Sequence, residues 1–142
     1  MLNIFENVYA HVIYDEVQNL VEFYYKSEAL SGKLTDADYR KSMQAYGAAV
    51  EKYKPKKLLV NTLNSAYVIS PEMQEWTAKE VTPLTVCLEQ LAFIVPKSIF
   101  SQVSLEQMLE EKGIGDVYSG IRYFDTLQEA ENWLHIVSRF QD

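Results

Sequence analysis

Beyond Pro55 the chain changes texture, and that change limits the fold more than any other feature. Short apolar runs begin to alternate with stretches of helical period. Lys57-Leu58-Leu59-Val60-Asn61 is apolar between polar ends, the pattern of a strand buried on both faces. Ser70-Pro71-Glu72 opens a helix, with a capping hydroxyl, a proline at the first helical position and an acid in the first turn. Met73, Trp76, Thr77, Val81 and Leu84 form its inner stripe, and Pro83 is expected to kink or end it near there. Leu91 to Val95 reads as a second buried strand, closed by Pro96. Ser98 to Lys112 reads as a helix stopped by Gly113, with Ile114-Gly115-Asp116 as its loop and Ser119-Gly120 as a turn. Gly120 to Phe124 is the last strand. Asp125 is expected to cap a final helix, with Gln128 in the capping-box position and Leu127, Ala130, Trp133, Leu134 and Val137 inside. Strands alternating with helices imply crossovers of one hand and a mostly parallel sheet.

The first part of the chain reads differently. Val8 to Tyr14 and Leu20 to Lys26 are rich in β-branched and aromatic residues and flank a polar connection, which predicts an antiparallel hairpin. Ser31-Gly32-Lys33 follows as a loop. Thr35 with Asp38 three residues on is a capping box, and Tyr39, Met43, Tyr46, Val50 and Tyr53 then step by helical intervals until Pro55. The expected architecture is α/β, in the order β-β-α-β-α-β-α-β-α, with an N-terminal antiparallel hairpin and one domain over residues 1–142.

Composition removes several classes of function. Basic residues number 13 against 20 acidic, a formal charge of −7, which argues against nucleic acid or an anionic membrane as the main partner. Residues 1–71 are balanced, so the excess lies in the second half, on Glu72, Glu75, Glu80, Glu106, Glu110, Glu111, Glu129 and Glu131. These read as solvated helix faces, with an acidic docking surface as the sharper reading. The Lys52, Lys54, Lys56, Lys57 group around Pro55 reads as a solvated connection. No apolar run approaches the roughly 20 residues that span a bilayer. Cys87 alone cannot form an internal disulfide, and the first residues lack the basic start and apolar run of a secretory signal. A cytoplasmic location is expected.

The sequence carries no pattern of a catalytic or metal site. His11 and His135 are the only histidines, and neither HxxxH nor CxxC spacing occurs, so no metal is expected. Cys87 lies between apolar neighbours and reads as a small buried side chain. Glycine-rich phosphate loops and a GxSxG elbow are absent. Neither a catalytic residue nor a cofactor is predicted. The aromatic content is more suggestive, with 10 Tyr, 6 Phe and 2 Trp, several on the hairpin (Tyr9, Tyr14, Phe23, Tyr24, Tyr25). These predict a core beneath the helices, or an apolar face that meets a second copy or a greasy ligand.

The element order, the stretch Leu58 to Trp76 and the closing Glu129-Ala130-Glu131-Asn132-Trp133-Leu134 resemble the STAS family, that of the sporulation anti-sigma-factor antagonists. The nearest likeness is to small stand-alone members grouped beside CRAL-TRIO-type lipid-binding domains. The family's polar strand end matches Asn61, and an aromatic loop position matches Tyr67. Its Asp-Ser-Ser-Gly motif falls on Ile69, Ser70, Pro71 and Glu72, so the phosphoacceptor position holds a proline with no hydroxyl. The resemblance implies a partner or ligand surface at the loop after Asn61 and the helix that follows. Its residues here are Asn61, Asn64, Ser65, Tyr67, Ser70 and Trp76. Two functions stay open: a non-enzymatic interaction module, homodimeric and without the phosphoswitch, or a carrier or sensor of a small apolar or lipid-like ligand.

Overall fold

A computed structural model describes residues 1–110, 118 and 120–137. It is an α/β arrangement around one six-stranded mixed sheet whose strands lie side by side in chain order. The strands are β1 (Leu2–Glu6), β2 (Ala10–Asp15), β3 (Leu20–Tyr25), β4 (Lys57–Asn61), β5 (Gln90–Ile94) and β6 (Ile121–Phe124). The first three pair antiparallel, and β3 to β6 run parallel. The helices are α1 (Glu28–Ser31), α2 (Asp36–Tyr53), α3 (Pro71–Glu80), α4 (Ile99–Glu110) and α5 (Leu127–Leu134), with a 3-10 turn at Thr82–Leu84.

The hairpin is present, with Val12 opposite Phe23 and Tyr14 opposite Val21. Its turn places Asn19 at φ 57°, a left-handed conformation that asparagine tolerates. Strand β1 was not expected. A bulge between Asn3 and Phe5 lets the adjacent Ile4 and Phe5 both pack on the core, which destroys the alternation by which a strand is read. The Ser31-Gly32-Lys33 loop is also corrected, because Ser31 ends the short helix α1.

Helix α2 begins with the Thr35/Asp38 capping box and ends at Tyr53, where Lys54 turns left-handed before Pro55. Three successive strand–helix–strand crossovers of one hand put α2, α3 and α4 on the same face of the sheet. There Tyr39, Tyr46, Val50, Met73, Val81, Leu105 and Met108 meet Val21, Phe23, Leu58, Leu91 and Phe93. Helix α5 folds back over the other face, where Ala130 and Leu134 cover Leu20, Leu59, Ala92 and Ile94. Leu58 and Leu59 thus enter different cores, as the apolar run of β4 required.

The α5 boundary differs from expectation. Thr126, not Asp125, is the cap, accepting from the Glu129 N–H at 3.2 Å. Asp125-x-x-Gln128 and Thr126-x-x-Glu129 are both box patterns, and the chain uses the second. The helix ends at Leu134, so Val137 lies beyond it and is exposed. Glu131, expected on a solvated face, is buried. The predicted stop of α4 at Lys112-Gly113, the Ile114-Gly115-Asp116 loop, Ser119 and Glu111 lie outside the described residues. No helix among the described residues is long and apolar enough to cross a membrane.

Candidate functional site

Three connections leave the carboxyl ends of the parallel strands. They run from β3 to α1, from β4 to α3 and from β5 to α4. Ser31 ties the first to the second. Its hydroxyl is fully buried, donates to the Asn64 carbonyl at 2.8 Å and accepts from the Ala66 N–H at 2.8 Å. Tyr67, from the same β4–α3 connection, reaches back to α2 and donates to Asp36 Oδ1 at 2.5 Å. Its ring stacks on Tyr39 at 5.1 Å between centroids.

Beneath these connections a cavity of about 80 Å³ lies between the sheet and helices α2, α3 and α4. Its floor is Phe23, Leu58, Val60, Leu91 and Phe93. Its roof includes Met43, Tyr46, Val81, Leu105 and Met108. The volume exceeds by several-fold the roughly 10–15 Å³ that one water needs, and is half of the about 150 Å³ that accepts benzene. No Lys, Arg, His, Asp or Glu occurs among the described residues that line it.

What the wall offers instead is hydroxyl groups. Five tyrosines line it, Tyr25, Tyr39, Tyr46, Tyr67 and Tyr118. Burial raises the pKa of each above its ordinary value; at Tyr67 the hydrogen bond to Asp36 adds to it. All five are therefore neutral donors at physiological pH. Beside Tyr67, which bonds Asp36, two of them bond within the wall. Tyr39 donates to Thr77 Oγ1 at 2.8 Å, whose own proton goes to the Met73 carbonyl at 2.7 Å. Tyr118 bonds Thr85, which donates to the Thr82 carbonyl at 3.0 Å. Ser101 Oγ is buried, lines the cavity and has no hydrogen-bond partner among the described residues.

The six residues singled out from sequence separate in space. Ser65 and Tyr67 are buried in the cavity wall. Trp76 does not line it, but stands edge-on to Tyr39 at 6.2 Å. Asn61 lies on the α5 face of β4, and its Oδ1 accepts from the Leu63 N–H at 3.1 Å. Asn64 contributes its carbonyl to Ser31. Ser70 caps α3, accepting from the Met73 N–H at 3.2 Å, and borders a surface groove with Val68, Pro71, Ile99, Phe100 and Val103.

Sequence reading missed Tyr25, Thr62, Thr85, Ser101 and Tyr118 as site residues. The available signal was hydroxyl side chains at inward positions of apolar stripes, as Thr77 in α3 and Ser101 and Ser104 in α4 show. His11 lies on the opposite face, its ring nitrogens 2.6 Å from Tyr24 OH and 3.0 Å from Asn3 Oδ1. Cys87 is half-buried and donates to the Pro55 carbonyl at 3.3 Å, and burial pushes its thiol up. No group of three or more metal-binding side chains occurs among the described residues. No family model, curated protein or solved structure matches this chain.

Proposed function

We propose that this protein is a non-enzymatic, STAS-like binding module of the cytoplasm that carries or senses a small apolar ligand in the cavity beneath the sheet. The observation that carries the reading is the wall, which is aromatic and aliphatic, uncharged among its described residues, and studded with hydroxyls. The phenols are held protonated by burial, so at neutral pH they donate hydrogen bonds and do not serve as bases. The STAS-like part of the reading rests on the element order and on the stretch Leu58 to Trp76. The helix start that the resemblance marks as a partner surface lies beside the cavity through Tyr67.

A thermal-shift panel of neutral compounds of about three to five non-hydrogen atoms tests the reading. A ligand present at a hundred times its dissociation constant adds about 2.7 kcal/mol to stability. At least one such compound is expected to raise the transition, and Val60→Phe, which fills the space, is expected to abolish the rise. A flat response across the panel in the native chain overturns the proposal.

A second reading, the homodimeric interaction module, is favoured by one observation. Val68, Ile99, Phe100 and Val103 are exposed together around the groove at Ser70, with Phe100 74% accessible. If a second copy docks there, Phe100→Asp converts a dimer to a monomer in sedimentation without changing the circular dichroism. A monomeric native chain ends that reading.

A further inference from the structure

Cavities left by imperfect packing are apolar and stay dry. The wall of this one carries hydroxyl side chains. Three segments leave the carboxyl ends of β3, β4 and β5, and each brings a hydroxyl to the wall: Tyr25 at the end of β3, Ser65 after β4 and Ser101 in the first turn of α4. The first two are joined through Thr62. Tyr24 pairs with Asn61, so Tyr25 lies beside Thr62, and the Ser65 N–H closes a turn onto the Thr62 carbonyl at 2.9 Å. Thr62 in turn bonds the Ile94 carbonyl through its backbone N–H at 3.2 Å and through its hydroxyl. The chain then passes through Pro96 to α4 and Ser101.

Within this group Ser101 Oγ is 2% exposed and unpartnered among the described residues. A serine hydroxyl both donates and accepts, so what completes it is a group with either capacity. Charge is a separate matter. A carboxylate or ammonium taken into this wall would find no counter-ion, because its described lining is uncharged.

We infer that the ligand is a small neutral molecule with one hydrogen-bonding head, an alcohol or a carbonyl, received by Ser101 beside Tyr25 and Ser65. This rests on the ligand-binding reading above and adds the ligand's class and orientation. The head lies at the carboxyl ends of the strands, and the apolar part runs between Phe93 and the roof of Met43, Leu105 and Met108. At about half the volume of a benzene-sized site, the cavity takes about three or four non-hydrogen atoms as it stands.

Three probes separate the parts of the argument: xenon, 2-propanol and acetate, each titrated into the full chain and its Ser101→Ala variant with methyl-labelled methionines. Xenon tests the cavity alone. It is expected to shift the Met43 and Met108 methyl signals in both proteins, which also reports that the variant is folded. 2-Propanol is expected to bind the native chain about tenfold tighter than Ser101→Ala, the worth of one neutral hydrogen bond. Acetate, of the same size but charged, is expected to produce no shift.

Equal 2-propanol affinity in the two proteins, with xenon still binding, overturns the head-group assignment and leaves the cavity reading standing. Acetate binding as tightly as 2-propanol overturns the neutral class. No xenon response in the native chain removes the ligand-binding reading and this inference with it. Should Ser101→Ala fail to fold, Tyr25→Phe serves as the second variant. A weakened 2-propanol response there, with xenon unchanged, supports the shared head-group site, and an unchanged one overturns it.

Discussion

Two serines on one helix should respond to the same substitution with opposite signs. Ser101 and Ser104 are three residues apart in α4, face the same core and are 2% and 3% exposed. Ser104 Oγ accepts from the Ile69 N–H at 3.0 Å and donates to the Ser101 carbonyl at 2.9 Å. Ser101 Oγ bonds to nothing among the described residues. Replacing either by alanine gains about 0.5 kcal/mol of helix propensity. At Ser104 the change also strands the Ile69 N–H in a buried position, which costs about 2 kcal/mol, for a net loss of about 1.5 kcal/mol. At Ser101 it removes a hydroxyl that is desolvated and unpaired, which adds about 1 kcal/mol, for a net gain of about 1.5 kcal/mol.

The two variants are therefore expected to lie about 3 kcal/mol apart, measured as urea unfolding of ligand-free protein at a common slope. With a slope of about 2 kcal/mol per molar, the midpoint rises by about 0.7 M for Ser101→Ala and falls by about 0.7 M for Ser104→Ala. A loss of stability at Ser101 comparable to that at Ser104 would refute the reasoning, since it would mean that the Ser101 hydroxyl is satisfied in the folded protein. The experiment is informative because the chemical change, the helix and the depth of burial are shared. The hydrogen bonding differs, and Ser101 lines the cavity whereas Ser104 does not.

Other outcomes follow from named contacts. Tyr67→Phe removes the bond to Asp36; because Asp36 lies in the solvated first turn of α2, its carboxylate is rehydrated and the loss is held to about 1.5 kcal/mol, read from thermal unfolding. Gly120→Ala places a Cβ 2.4 Å from the Glu89 carbonyl oxygen, beside the 2.7 Å bond from Leu91 N–H to the Gly120 carbonyl, and is expected to cost about 2–3 kcal/mol by forcing β6 from β5. A full retention of stability in that variant would contradict the observed pairing. Burial raises the pKa of Tyr25, Tyr39 and Tyr46 above the ordinary 10.0, so the folded state keeps protons that the unfolded chain releases near that value. Their contribution is complete below pH 10 and is lost as pH rises above it, by at most about 1.4 kcal/mol per group and pH unit. Ultraviolet titration is expected to show these phenolates appearing together with loss of circular dichroism, and their appearance in a still-native spectrum would contradict the burial.

The sheet was legible where each residue answered to one neighbour layer. Lys57–Asn61 is apolar throughout because Leu58 and Leu59 enter different cores, and that signature survives any local detail. Strand β1 was illegible because a bulge turns the consecutive Ile4 and Phe5 to one core. The α5 cap slipped by one residue because two overlapping patterns, Asp125 with Gln128 and Thr126 with Glu129, both fit a helix start. The site was legible only in Ser65 and Tyr67. Tyr39, Tyr46 and Thr77 were read correctly as inner positions, yet an inner stripe looks the same whether its side chains close on each other or leave a gap between them. The gap depends on the separation of α2, α3 and α4 over the sheet, a quantity to which no single element's pattern refers. Trp76 shows the converse: a residue next to the site in sequence and in ring contact with Tyr39 that does not line it.

The distribution of satisfied and unsatisfied hydroxyls is what separates this cavity from a packing fault. A fault left by poorly matched side chains has no reason to collect polar groups, and selection for stability removes them where they fall. Here the wall contains phenols and threonines that are closed in pairs, Tyr39 with Thr77 and Tyr118 with Thr85, so the folded chain accommodates buried hydroxyls wherever a partner is at hand. Against that background the unpaired Ser101 is an exception at a defined place. Its cost of about 1–3 kcal/mol is a substantial part of a net stability that is typically about 5–15 kcal/mol. Alanine would relieve it while improving the helix, and among the described residues nothing bonds the hydroxyl. On the ligand-binding reading proposed above, a group that stability and helix formation both disfavour has its use when the cavity is filled. A neutral head group would then supply the missing hydrogen bond and turn the penalty into affinity.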